Sequence, residues 1–174
     1  MDSAREVVVI GAGPGGLAAA AALRERGVES LVIDRAAQVG ASWRAHYDRL
    51  HLHTERALSG LPGLPLPRAY GKWVSRAHVV EYLEEYAQKL KLTLKLSTTV
   101  DSLARDGAGF RVGTVQGPIS ARAVVMATGY NNTPRFPEWP GQSGFAGQLI
   151  HSADYKSPTP YKGRDVLEIG RAHV

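Results

Sequence analysis

Four apolar residues, Val7, Val8, Val9 and Ile10, run without a break into Gly11-Ala12-Gly13-Pro14-Gly15-Gly16, and the alanine-rich stretch 17–26 follows at once. An apolar run of this kind is a strand buried on both faces, as strands are in parallel sheets. The glycines let the backbone come close to whatever lies over the turn, and the helix behind them aims its first unpaired N–H groups at the same place. Such a strand, turn and helix form a site for a dinucleotide.

The next residues extend the pattern. Alanine favours helix and lets it lie close on a sheet, and Gly27 is a natural C-terminal stop. Residues 30–34, Ser-Leu-Val-Ile-Asp, read as a second parallel strand that closes a βαβ unit. Asp34 stands at its end, 18 residues after Gly16. A carboxylate there can accept from both hydroxyls of an adenosine ribose, which indicates an unphosphorylated ribose.

At 174 residues the chain has enough core for one good-sized domain and not for two complete ones. It has no cysteine, which excludes disulfides, thiolate zinc sites and a redox-active cysteine pair within this sequence. The formal charge is +5, from 21 Lys and Arg against 16 Asp and Glu, and the cations are scattered. Scattered charge argues against a nucleic-acid partner and suits anionic small molecules such as pyrophosphates and nicotinamide phosphates. The first strand begins within a few residues of Met1, no stretch approaches the length of a membrane span, and the expectation is a cytoplasmic protein with no membrane anchor. Oligomeric state leaves no mark on the sequence.

Periodicity fails between residues 35 and 73, a stretch rich in Gly, Pro, His and Arg, as expected of a functional covering loop. Within Gly40-Ala41-Ser42-Trp43-Arg44, an indole can stack beside a flat cofactor ring and a guanidinium can meet phosphate or carboxylate. Residues 49–54 alternate, so His51 and His53 face one side of an extended segment, and with no third ligand nearby they are expected to line a cofactor pocket or the surface. Residues 62–67 hold three prolines and are expected to be an extended, stiff connection. Ser75 can cap a helix over residues 76–91 with Val79, Leu83, Tyr86 or Ala87, and Leu90 along one face, Tyr82 and Tyr86 serving as core and rim.

Short runs at 93–96, 99–103, 110–115 and 119–121 predict a third core strand and then a small β-meander or hairpin layer. Residues 123–127 predict another fully buried strand, and Thr128-Gly129-Tyr130 at its end is a second place where backbone can approach a ligand. A Pro- and Gly-rich linker containing Trp139 follows, and residues 163–167 look like the beginning of a new strand.

Taken together, these residues resemble the flavin-containing monooxygenases, including the plant auxin-forming branch and related bacterial proteins. The resemblance implies an α/β fold, a Rossmann-like FAD-binding domain with a central parallel sheet and a small β-meander layer, here truncated. It implies that FAD is held by Gly11, Gly13, Gly15, Gly16, Asp34, Arg35, Ser42, Trp43, Arg44, His53, Thr54, Val100, Ala127, Thr128 and Gly129. Phe145, Gly147, His151, Tyr155 and Lys156 match the family's identifying pattern between its FAD and NADPH halves. Tyr155-Lys156 stands where Baeyer–Villiger relatives have Trp followed by Pro or Asp, which favours the flavin-monooxygenase and N-hydroxylase side. Asp34 stands where the family more often has Glu, and the carboxylate is kept.

The resemblance also implies a reaction: NADPH reduces FAD, the reduced flavin traps O2 as a C4a-hydroperoxide, and a small substrate is oxygenated at a soft nitrogen or sulfur atom or decarboxylated as a 2-oxo acid. The cofactor carries this chemistry, so no catalytic side chain is assigned, and His151 is expected to fix linker geometry. Two alternatives are a non-oxygenating FAD- or NAD(P)-dependent reductase and a non-catalytic dinucleotide-binding module.

The implied organisation is an FAD-binding part at residues 1–133, a linker at 134–162 and the beginning of an NADPH-binding domain at 163–174. The NADPH site is mostly missing, because Glu168 puts a charge where a buried strand wants an apolar residue and no second glycine loop follows. Residues 169–174, Ile-Gly-Arg-Ala-His-Val, are what ATCGGAAGAGCACACGTC encodes, a common sequencing-adapter run, so residues 168–174 are expected to be foreign to the natural chain. Synonymous codons in the nucleotide record would refute this.

Overall fold

The computed structural model describes residues 5–130 and 133–170, so residues 171–174 of the suspected foreign tail lie outside it. Six strands form one sheet: β1 (Arg5–Ile10), β2 (Ser30–Ile33), β3 (Thr93–Lys95), β4 (Val100–Asp106), β5 (Gly109–Thr114) and β6 (Ile119–Met126). Their order is β3-β2-β1-β6-β5-β4. The pairs β3–β2, β2–β1 and β1–β6 are parallel, and β6–β5 and β5–β4 are antiparallel. The helices are α1 (Pro14–Glu25), the short α2 (Ala41–Ala45) and α3 (Arg76–Lys89). This is the expected α/β architecture, a parallel Rossmann-like centre carrying a meander.

The unbroken apolar run in β1 is explained by its two covered faces. Val7 and Val9 join a core with Leu17 of α1 and Val79, Leu83 and Tyr86 of α3. Val8 and Ile10 join a second cluster with Leu31, Ile33 and Val112, the last from β5 in the meander. A strand buried on both sides has no place for a polar residue. α1 buries Gly16, Leu17, Ala20 and Ala21, and the three small ones bring it close to the sheet while Leu17 fills the core. It stops at Gly27, whose φ of 76° is left-handed. There Gly27 N–H donates to Arg24 O at 2.9 Å and Val28 N–H to Leu23 O at 3.0 Å, so the last carbonyls are satisfied.

Ser75 caps α3, its hydroxyl accepting from His78 N–H at 3.3 Å. Tyr82 and Tyr86 are both core residues, not one core and one rim. Their hydroxyls remain useful inside: Tyr82 accepts from Leu61 N–H at 2.7 Å and donates to Leu64 O at 2.5 Å, and Tyr86 donates to Pro62 O at 2.5 Å. These bonds hold a reverse turn. Residues 62–67 are not extended throughout, because Leu61 and Leu64 pair across Pro62-Gly63, with Gly63 at φ 79°. A Pro-Gly pair suits a turn that needs positive φ at its second central residue.

Three further expectations are corrected. Residues 119–121 and 123–127 are not separate strands, since β6 runs unbroken through Arg122 and pairs with β5 at its start and β1 along the rest. Nor is its second half fully buried: Met126 is 61% exposed. Residues 163–167 form no strand and are exposed, because among the described residues no strand pairs with them. Among the described residues no helix is long and apolar enough to cross a membrane.

Candidate dinucleotide-binding site

The glycines of the first turn do two different jobs. Gly11, at φ 115°, lies so close to the end of β6 that a Cβ on it would be 2.3 Å from Ala127 O. A Cβ on Gly16 would be 1.8 Å from Gly11 O. These two positions are glycine because main chain packs on main chain. Gly13 and Gly15 differ: a Cβ on either would meet nothing within 4 Å. Their open side is where a ligand can rest on bare backbone. α1 begins there with Gly13 as N-cap, no side-chain cap and no acidic residue in its first turn, so its positive end is left for an anion.

Asp34 closes the site from β2. One carboxylate oxygen accepts from Ala12 N–H at 2.7 Å and the other from Ala36 N–H at 2.8 Å. Each oxygen retains a lone pair for a hydroxyl, so the residue both fixes the glycine loop and can take ribose. Gly40 N–H donates to Ala12 O at 2.9 Å, so both main-chain groups of Ala12 are held by the segment after β2. Gly40 has φ 67°, caps α2, and sits where a Cβ would be 2.9 Å from Leu83 Cδ1. Ala12, Ala36 and Gly40 were absent from the expected binding set; of the three only Gly40 carried a signal, a glycine just before a short helix. The open backbone, the uncapped helix start and the locked carboxylate fit the pyrophosphate and ribose of FAD.

Ala127 also belongs here, its N–H donating to Ile10 O at 2.9 Å and its carbonyl lying against Gly11. Thr128 and Gly129, the latter at φ 76°, continue from it on the exposed side. Arg35 and Ser42 are exposed, and Trp43 is half-buried against the main core, edge-on to His46 at 5.8 Å. Arg44, expected to meet phosphate or carboxylate, meets the carboxylate of Glu84 of α3 at 2.5 Å, and its Nε donates to Val39 O at 3.2 Å. Its role is to tie α2 to α3. His51 pairs with Ser75, His53 and Thr54 are exposed, and the Thr54 hydroxyl bonds that of Ser59 at 2.6 Å. Val100 opens β4 of the meander and packs, half-buried, against the second-face cluster.

The residues from Phe145 onward gather differently. A Cβ on Gly147 would be 2.5 Å from the Phe145 ring. His151 Nδ1 accepts from Ala153 N–H at 3.0 Å, and its ring meets Phe136 edge-on at 5.3 Å, so it shapes the linker. Tyr155 packs between Tyr47 and Tyr161, and Lys156 Nζ donates to Ala45 O and Ala153 O.

A glycine turn between β1 and α1, locked to an acidic strand end, defines a Rossmann-type dinucleotide-binding domain. The chain belongs to the pyridine nucleotide-disulphide oxidoreductase family, which it matches over residues 8–173. It is 41% identical over 167 residues to an indole-3-pyruvate monooxygenase of Oryza sativa subsp. japonica (YUCCA1), covering 94% of this chain and 41% of that protein. A probable indole-3-pyruvate monooxygenase of Arabidopsis thaliana (YUCCA4) is 36% identical, with 94% and 40% covered. Among solved structures, a flavin-containing monooxygenase from Stenotrophomonas maltophilia superposes with a TM-score of 0.86 at 37% identity, covering 94% of this chain and 49% of that one. The chain therefore spans less than half the length of these relatives.

Proposed function

We propose that this chain is the N-terminal, FAD-binding part of a flavin-dependent monooxygenase that uses NADPH and O2 to oxygenate a small organic substrate at a soft nitrogen or sulfur atom or as a 2-oxo acid. The observation that carries the proposal is the cradle of open Gly13 and Gly15 beside an Asp34 carboxylate locked to the same loop. Similarity to the indole-3-pyruvate monooxygenases and to the Stenotrophomonas enzyme supports it. The absence of cysteine leaves this stretch no disulphide chemistry of its own.

When bound, FAD supplies the redox chemistry that links NADPH to O2. The chain's residues bind and orient it. Gly13, Gly15 and the start of α1 offer N–H groups to the pyrophosphate, and Asp34 offers its carboxylate to the ribose. Ala127 and Thr128 lie against Gly11 at the end of β6, with Gly129 next in the chain, and Trp43 stands on α2. Residues 134–162 serve as linker and residues 163–167 lead to the NADPH half; a cytoplasmic location completes the proposal, and cell fractionation checks it.

The test is titration of the purified chain with FAD, read by flavin fluorescence and by visible bands retained on the protein. FAD binding is expected, and weak, without NADPH oxidation by this chain. A colourless protein that takes NAD in preference to FAD, or robust NADPH oxidation by these residues alone, overturns the proposal.

A further inference from the structure

α2 is a helix of five residues, too short to persist on its own hydrogen bonds. It is held from outside at both ends. At its start, Gly40 bonds Ala12 in the glycine loop. At its end, Arg76 of α3 donates through Nη1 to Arg44 O at 2.8 Å and His46 O at 3.3 Å, and through Nη2 to Asp48 Oδ1 at 3.2 Å. Lys156, 111 residues from Ala45, reaches the same end, Nζ donating to Ala45 O. The linker's main chain is joined there too, Asp48 N–H donating to Lys156 O at 2.9 Å. The Tyr155 ring lies 6.2 Å from that of Tyr47.

The carbonyls at a helix C-terminus carry partial negative charge and take cations well. An ordinary surface lysine would leave its own main chain free, whereas here side chain, main chain and the neighbouring ring all meet residues 45–48. We infer that Lys156 is a positioning residue for the cofactor site: it fixes α2, and through Gly40 and Ala12 it fixes the glycine loop, so that the linker's position is felt at the cradle. This inference rests on the proposed FAD site.

The experiment compares the unaltered chain with Lys156→Met, Lys156→Arg and Lys162→Met, the last an exposed linker cation outside this contact. Amide hydrogen exchange of residues 41–48, measured without FAD, reports whether α2 is held. Flavin fluorescence titration reports affinity. Lys156→Met is expected to raise exchange in residues 41–48 and not in β1 or β2, and to weaken FAD on the order of threefold. Lys156→Arg should restore both, and Lys162→Met should change neither. Unchanged exchange in Lys156→Met, faster exchange with undiminished FAD affinity, or an equal effect of Lys162→Met overturns the inference. If the unaltered chain binds no FAD, the parent proposal falls and takes the cofactor half of this inference with it, while exchange still decides whether Lys156 holds α2.

Discussion

Alanine at Gly13 and alanine at Gly16 should separate the glycine that receives a ligand from the glycine that builds the fold. A Cβ on Gly16 would lie 1.8 Å from Gly11 O, 3.0 Å from Gly11 C and 3.4 Å from Ala127 Cβ. The first two are main chain, so no rotamer relieves the clash, and the turn has to open by about 1.6 Å, from 1.8 to 3.4 Å, to restore contact distance. That movement strains the bond from Gly11 N–H to Ile33 O, 2.7 Å long, and the contact with Ala127. Overpacking of this kind costs about 1–3 kcal/mol, a large share of a net stability of about 5–15 kcal/mol. Gly13 is the opposite case: φ −82° and ψ −177° suit alanine, and nothing lies within 4 Å of the added methyl. The poorer N-cap costs up to about 1 kcal/mol, and reduced freedom of the unfolded chain offsets about 0.4–1 kcal/mol. Urea titration of the FAD-free chain is therefore expected to show Gly16→Ala destabilised and Gly13→Ala nearly unchanged. FAD titration should show Gly13→Ala weakened by about tenfold or more, since about 1.4 kcal/mol of lost backbone contact is a tenfold change. Undiminished FAD affinity in Gly13→Ala, or full stability in Gly16→Ala, refutes this division of roles.

Asp34→Asn should lower both stability and FAD affinity. An amide has one acceptor oxygen where the carboxylate uses two, so either Ala12 N–H or Ala36 N–H is left facing an NH2 group, a loss of about 1–3 kcal/mol readable by urea titration. Stability should also fall in alkali. Burial, with Tyr82 and Glu25 adding to it, pushes the Tyr86 phenol up to about 12 from 10.0, and burial raises Tyr82 as well. The unfolded chain then gives up these protons first, so the stabilisation is complete below pH 10 and fades as pH rises from about 10 towards 12. Unfolding free energies across that range should decline less steeply in Tyr86→Phe, and an equal decline would contradict the assignment.

The βαβ unit was legible because each step carries its own signal. The run from Val7 to Ile10 before a glycine turn reads as a strand buried on both faces, Gly27 after the helix permits the positive φ it takes, and Asp34 is the residue whose spacing ties strand to turn. β6 was harder to read, because the charge at Arg122 suggests a break. In a strand a charged side chain can point to solvent without breaking the ladder, and Arg122 is exposed while Ala121 beside it is buried and pairs with both Arg5 and Phe110, so one strand serves both the meander and the parallel sheet. The partner of Arg44 was hidden for a different reason. Residue type shows that a guanidinium seeks a carboxylate, and only the packing of α2 on α3 shows that Glu84 provides it.

The residue that organises the site has almost no sequence signal. Ala12 is fully buried, its N–H is taken by Asp34 and its carbonyl by Gly40. Alanine suits this position because both bonds are made by its own main chain and a larger side chain would have to enter the core around Leu17. Through Ala12 the turn is fixed to the end of β2; through Gly40 it is fixed to α2; and through Ala45 and Asp48 it is fixed to Lys156 in the linker. A glycine turn would otherwise be the most mobile part of the chain, since glycine has the largest backbone freedom to lose. Anchoring it from three separate segments places that entropic cost in folding and not in ligand binding, which is what a preformed cofactor cradle requires.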